Sequence, residues 1–336
     1  MIERIARLLS GAALAATGAL FAAPLADAQP PADASSIWTL QDENASITTN
    51  RLTDRYYVNG LRLGWTSPTD LVPDFASRVG RVLWGDGRQR ISIDLSQEIY
   101  TPADTQAKPP DPHDRPYAGV LTGDFSLLQD NADWRSLLGL QLGVVGPGAG
   151  GEEIQNGWHD LIGQGHALGW NYQIHNEPVI ELLSQRIYRV PIASFGGLET
   201  DTLPDLEVGV GNLRVYALTG TIVRLGQGLG SDFGPARVRP GLTGADAYTP
   251  TRPFAWYIFA GFDGQAVAHD ITLDGNTFES SAHVSRQPFV GEAEAGLAVM
   301  FAGLRVSYTH VVQTQEFHGQ HGGLHQFGSL AISARF

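Results

Sequence analysis

From residue 36 to its end the chain alternates apolar and polar residues with a period of two. Ile91, Ile93, Leu95 and Ile99 fall on one side of a strand, with Ser92, Asp94, Ser96 and Glu98 on the other. Trp134, Leu138, Leu140, Leu142 and Val144 oppose Arg135, Gly139, Gln141 and Gly143, and Leu61, Leu63 and Trp65 oppose Gly60, Arg62 and Gly64. Successive strand side chains point to opposite faces, so each segment separates an apolar medium from a polar one. A soluble sandwich does this with a core; a membrane barrel does it with lipid outside and a polar lumen inside. The polar faces here carry Arg, Asp, Glu and Gln beside Gly, which suits a lumen. Tyr57, Trp65, Tyr100, Trp134, Trp170, Tyr257 and Tyr308 stand near strand ends, as interfacial girdles would. Lipid tolerates no open sheet edge, so such a sheet must close.

The last residues select the barrel. Leu330, Ile332, Ala334 and Phe336 alternate with Ala331, Ser333 and Arg335, and the sequence ends on Phe336. An amphipathic final strand ending in an aromatic residue resembles the assembly signal of bacterial outer-membrane barrels, which makes the assembly machinery an expected partner. Residues 1–28 read as a signal peptide: Arg4 and Arg7, an apolar run from Leu8 to Leu25, then Ala26-Asp27-Ala28. A short N-terminal anchor helix is the alternative. Residues 29–35 read as a polar tether and 36–336 as one barrel domain in the outer membrane of a Gram-negative bacterium. The absence of Cys excludes a disulfide scaffold and cysteine-ligated metal. A net charge of −13 excludes the basic footprint of a nucleic-acid binder.

The periodicity predicts an all-β, antiparallel transmembrane barrel of about twelve strands, near 36–45, 55–66, 90–100, 116–128, 134–146, 170–184, 205–212, 214–226, 254–268, 288–300, 302–313 and 326–336. With a periplasmic N-terminus, the longer polar connections 46–54, 101–115, 147–169, 269–287 and 314–325 lie outside the cell.

One connection carries candidate chemistry. After Gly-rich 146–151, Glu152 and Glu153 open a predicted short extracellular helix near 151–163, favourably placed for its dipole. Gln155 and His159, four apart, share a face. Ile154, Trp158, Leu161 and Ile162 supply an apolar face expected to hold the helix to the barrel. A histidine presented this way suits general-base catalysis, although a surface loop with an incidental His has the same spacing. Asp42-Glu43-Asn44 ends strand 1 with hard oxygen donors that suit Ca²⁺, or merely as a polar strand end. His318, His321 and His325 suit a metal-binding tract or a Gly/His-rich loop. No Gly-x-Ser-x-Gly elbow, phosphate loop or His-Glu-x-x-His pair occurs.

Taken together, Glu43-Asn44, Thr53 to Gly60, Gln97 to Pro102, Asp114 to Gly119, Gly146 to Asn156 with His159, and Gly169-Trp170 to Pro178 resemble the outer-membrane lipid A deacylases, the LpxR-like 3′-O-deacylase barrels. The resemblance implies hydrolysis of the 3′-acyloxyacyl ester of lipid A in the outer leaflet, with Ca²⁺ as the cofactor that stabilises the oxyanion. It makes His159 the base and places Gln155 and Asn44 in the catalytic site. It assigns Arg55, Tyr57 and Trp158 to substrate binding, and Glu43 and Asn44 to the metal. The sequence departs from the family pattern at Ala45, Val58 and Gly165, each time losing an oxygen. A catalytically inactive or diverged lipid A-binding barrel, and a passive channel, are the alternative readings.

Overall fold

The computed structural model describes residues 30–47, 55–238 and 246–336. The proposed signal peptide, residue 29 of the tether and most of connection 46–54 lie outside them. In chain order the elements are β1 (Ile37–Asn44), β2 (Tyr56–Thr66), α1 (Asp74–Trp84), β3 (Arg88–Thr101), β4 (Ala118–Asp130), β5 (Trp134–Val145), α2 (Gly151–Ile162), β6 (Glu177–Tyr188), β7 (Val190–Phe195), β8 (Leu198–Gly211), β9 (Arg214–Gln227), β10 (Phe254–Asp270), β11 (Phe289–Phe301), β12 (Leu304–Gln313) and β13 (His325–Arg335).

Every pairing is antiparallel between neighbours, and β13 returns to β1 with Ile37 opposite Arg335 and Asn44 opposite Gly328. Ser36 and Phe336 exchange backbone hydrogen bonds at 3.0 Å and finish the seam. Twelve strands close the barrel. The thirteenth, β7, pairs only with the start of β8, because β6 takes over the pairing from Asp205 onward. Gly196 and Gly197, at φ 58° and 81°, make the two-residue turn between β7 and β8. That turn needs left-handed backbone at both positions. The sequence reading missed β7 and began β8 at 205. Pro191, Pro204 and the polar Glu199 to Asp201 break the alternation there. The predicted strand at 170 begins instead at Glu177, since Trp170–Tyr172 forms a 3₁₀ turn.

The two faces divide as the periodicity predicts. Trp38, Leu40, Leu63, Ile93, Leu95, Phe125 and Leu142 are exposed on the outer wall, whereas Gln41, Arg62, Asp94, Gln141 and Arg135 are buried inside. The described parts of the connection between β9 and β10, residues 228–238 and 246–253, turn back into the lumen and pair with its wall. Asp246 pairs with Arg62 and Arg305, Asp232 with Arg224 and Arg305, and Arg237 with Glu292 and Glu294. Val238 N–H donates to Glu43 at 2.9 Å. Buried charge is tolerable only when paired, so inner-wall residues and the inserted segment stabilise each other. Tyr57, Tyr100 and Tyr257 belong to this interior rather than to a girdle, and Trp170 is buried beneath α2.

The described part of the polar tether, residues 30–35, has no regular structure but makes ion pairs with the barrel. Asp33 is buried between Arg90 and Arg335 at 2.8 and 2.6 Å, and Arg88 donates to the Pro30 carbonyl. These residues clamp the barrel seam.

Candidate active site on the lipid-facing wall

Helix α2 lies against the outer ends of β3 and β4. Glycine permits this approach. A Cβ on Gly151 would stand 2.6 Å from the Trp170 ring and 3.1 Å from the Gly119 Cα of β4. Gly150 and Gly163, both left-handed, flank the helix. Its buried residues are Gly151, Gln155 and His159, one per turn along a single stripe. Ile154, Trp158, Leu161 and Ile162 do not hold the helix to the barrel. They are exposed, because the surrounding medium is lipid and an apolar outer face is soluble there. Contact with the wall is made by the small and polar stripe.

A groove of about 680 Å³ runs between this helix and the wall, lined by residues that include Asp42, Asn44, Asn59, Gln155, Trp158 and His159. It opens on the outside of the barrel, away from the lumen. His159 Nδ1 is 2.8 Å from the Gly165 carbonyl oxygen. A carbonyl only accepts, so Nδ1 carries a proton, and a neutral ring with this contact has its lone pair on Nε2. Gln155 Oε1 accepts the Trp170 indole N–H at 2.8 Å, which fixes the amide orientation because an indole only donates. Asn44 Nδ2 donates to Asn59 Oδ1 at 2.9 Å across the β1–β2 pair, and its own Oδ1 accepts from Ser46.

The other assigned residues lie elsewhere. Glu43 and Asn44 are adjacent in a strand and so face opposite sides of the wall. Glu43 is fully buried in the lumen, accepting from Tyr57 O–H at 2.9 Å, and cannot share a ligand with Asn44 in the groove. Tyr57 is lumenal because the register shift in β2 sets it opposite the inward Tyr100, and it packs on Tyr100 and Phe327. Arg55 sits over the Tyr56 ring, 5.3 Å from its centroid, and against Gly322, outside the groove. His318, His321 and His325 form no common site: His325 Nε2 meets the Tyr57 carbonyl, while His321 uses its backbone N–H to meet Tyr56. Among the described residues no group of three His, Asp or Glu side chains is arranged around one ion.

Sequence comparison fits this architecture. The profile of the outer membrane protein LpxR family matches residues 9–336. The chain belongs to that family. Among solved structures, LpxR from Salmonella typhimurium superposes with a TM-score of 0.72 at 24% identity, covering 90% of this chain and 100% of that one. That likeness fixes the barrel fold, and membership of the outer membrane protein family gives the outer-membrane location. The β domain of the Bordetella autotransporter BrkA (TM-score 0.43, 10% identity, 90% and 99% covered) and the COG4313 outer-membrane channel from Pseudomonas putida F1 (0.41, 12%, 94% and 100%) are far more distant. No curated relative matches by sequence.

Within this LpxR-family chain the three departures acquire positions. Ala45 is fully buried, its N–H donating to the Val58 carbonyl. Val58 shares the parity of the lumenal Arg62, but a register shift between Tyr57 and Asn59 turns it out of the lumen and into the groove lining. Gly165 presents its backbone carbonyl to His159. Trp170 and Asn59 also contribute to the site; both lie in family-like stretches of the sequence, but nothing there singles them out as site residues.

Proposed function

We propose that this chain is an outer-membrane lipid A deacylase that hydrolyses the 3′-acyloxyacyl ester of lipid A, with His159 as general base. The observation that carries this reading is the groove on the lipid-facing wall, at the outer ends of β1 to β3, with His159 and Gln155 turned toward it. Lipopolysaccharide diffusing in the outer leaflet reaches such a groove from the side, with its acyl chains against Trp158 and the apolar face of α2. A channel reading has no support in a lumen filled by paired charges.

In this mechanism His159 Nε2 takes a proton from water. The water oxygen bonds to the ester carbonyl carbon, and the amide N–H of Gln155 donates to the developing oxyanion. Collapse breaks the bond to the sugar 3-oxygen, which recovers the proton from the imidazolium. The products are the acyloxyacyl acid and the 3-hydroxyl sugar. The Gly165 carbonyl keeps the ring in the required tautomer and stabilises the imidazolium. For Ca²⁺, the donors that fit are Asp42 and Asn44 rather than Glu43. Asp42 lines the groove, and its Oδ1 is buried with no hydrogen-bond partner. Asp42 and Asn44 would hold such a cation, which would supply Lewis acidity to the ester carbonyl. Assembly machinery is proposed to read β13 together with the exposed Phe336 that follows it.

The direct test is mass spectrometry of lipid A from cells expressing the native chain or His159→Ala. Loss of one acyloxyacyl group with the native chain alone supports the reading. Unchanged lipid A with a folded barrel transfers it to the non-catalytic lipid A-binding alternative.

A further inference from the structure

Helix α1 connects β2 to β3 at the end of the barrel opposite the groove. It packs on the outside of the wall, not beneath the barrel mouth. Gln89 of β3 and Gln129 of β4 share the parity of the lipid-facing Ile93 and Phe125, yet both are buried. The helix covers them: Gln89 Nε2 donates to Gln129 Oε1 at 2.7 Å and to the Ser77 carbonyl at 3.3 Å. Gly80 leaves the room, since a Cβ there would lie 2.5 Å from Gln89 Nε2.

At about 100° per residue the helix has three faces roughly 120° apart. Ser77, Gly80 and Trp84 face the barrel. Asp74, Arg78 and Arg81 form an exposed charged flank. Phe75, Val79, Val82 and Leu83 form a third, exposed face, with Phe75 71% and Val82 85% exposed. A helix lying in water has no use for a third, apolar face; one lying at a membrane surface beside a barrel wall does. The height agrees. From Gln89, under α1, to Ile99, in the groove, β3 advances about 33 Å along the strand. A tilt of roughly 40° reduces this to about 25 Å, the height of the apolar band of such barrels. Ile93 and Phe125, exposed between the two levels, continue the apolar face of α1 into the lipid belt.

We infer that α1 is an interfacial anchor seated in the periplasmic phospholipid leaflet, with Phe75, Val79, Val82 and Leu83 among acyl chains and Arg78 and Arg81 at phosphate level. The same two strands then carry α1 in one leaflet and α2 in the other, so the anchor fixes the depth of the groove-bearing wall.

The chain contains no Cys, which makes site-specific labelling direct. An environment-sensitive fluorophore is placed at Val82→Cys, with Phe125→Cys as the belt reference and Arg81→Cys as the aqueous-flank reference. Each full-length barrel is reconstituted in phosphatidylcholine/phosphatidylglycerol vesicles and its fold checked by heat-modifiable mobility. Brominated acyl chains should quench the label at 82 to within about twofold of that at 125, with a blue shift. Iodide present on both sides of the membrane should quench only the label at 81. Phe75→Cys gives an independent second reading on the same face. A label at 82 that is open to iodide and untouched by brominated lipid overturns the anchor. So does one shielded from both quenchers that crosslinks between copies, which assigns the face to a second barrel.

Discussion

His159 Nδ1 and the Gly165 carbonyl oxygen, 2.8 Å apart, join α2 to the loop that follows it. A main-chain oxygen thus orients the ring, so the identity of the side chain at 165 is of little consequence. Nothing lies within 4 Å of where a Cβ would stand on Gly165. Gly165→Ala should leave deacylation within about threefold of native, as expected for a substitution with no contact to disturb. His159→Ala should lower it by roughly 10²–10⁴. Initial rates on purified lipid A, read by mass spectrometry, compare the two. A large loss in Gly165→Ala with an intact barrel would contradict the backbone role.

Asp42 and Glu43 are adjacent carboxylates on opposite faces, and they should fail differently. Asp42→Asn should reduce turnover and raise the Ca²⁺ concentration needed, with thermal stability near native. Glu43→Ala should destabilise the barrel, because Val238 N–H and Tyr57 O–H lose their acceptor. Each orphaned donor is worth roughly 1–3 kcal/mol. Unfolding in detergent, followed by heat-modifiable mobility, separates the two; equal stability losses would refute the assignment of faces.

Asp33 supplies a pH dependence. Burial by itself raises its carboxyl, but the Ser35 N–H, Arg335 and Arg90 together hold it below the ordinary aspartate value. The unfolded chain therefore binds this proton more readily. The stabilisation is complete above the unfolded value near about 3.9 and is lost as pH falls through the lower folded value. Asp33→Asn should be less stable than native at neutral pH, with the difference shrinking below pH ~4. A gap that persists unchanged in acid would show that the ion pairs do not anchor the seam.

The filled lumen predicts no steady conductance in planar bilayers. Arg62 bridges Gln41, Asp94 and Asp246, and Arg305 bridges Asp232 and Asp246. Ohmic single-channel steps from the native protein would show that the inserted segment leaves a path.

Much of this was legible because a strand alternates and the two media differ. Leu61, Leu63 and Ile93 announced the lipid face, and Arg62 and Asp94 the lumen. The helix at 151–162 was legible from Gly-rich flanks and from the four-residue spacing of Gln155 and His159. Its orientation was not: in lipid the apolar residues Ile154, Trp158, Leu161 and Ile162 mark the outside of a helix, the reverse of the rule in water. Glu43 was chosen for its carboxylate although its parity with Gln41 already placed it inside. Val58 escaped parity counting because a register shift has no signature in its neighbours. The inserted segment after β9 escaped because its contacts, such as Asp246 to Arg62, pair residues distant in sequence.

The central claim is that the wall groove, with His159 in it, removes an acyloxyacyl chain from lipid A. Mass spectrometry of lipid A from expressing cells, extracted with Ca²⁺ or with chelator, beside His159→Ala, tests it most directly. The account predicts a Ca²⁺-dependent loss of one acyloxyacyl group that disappears in His159→Ala. Full-length lipid A in every sample, with the native barrel folded in the outer membrane, would contradict it.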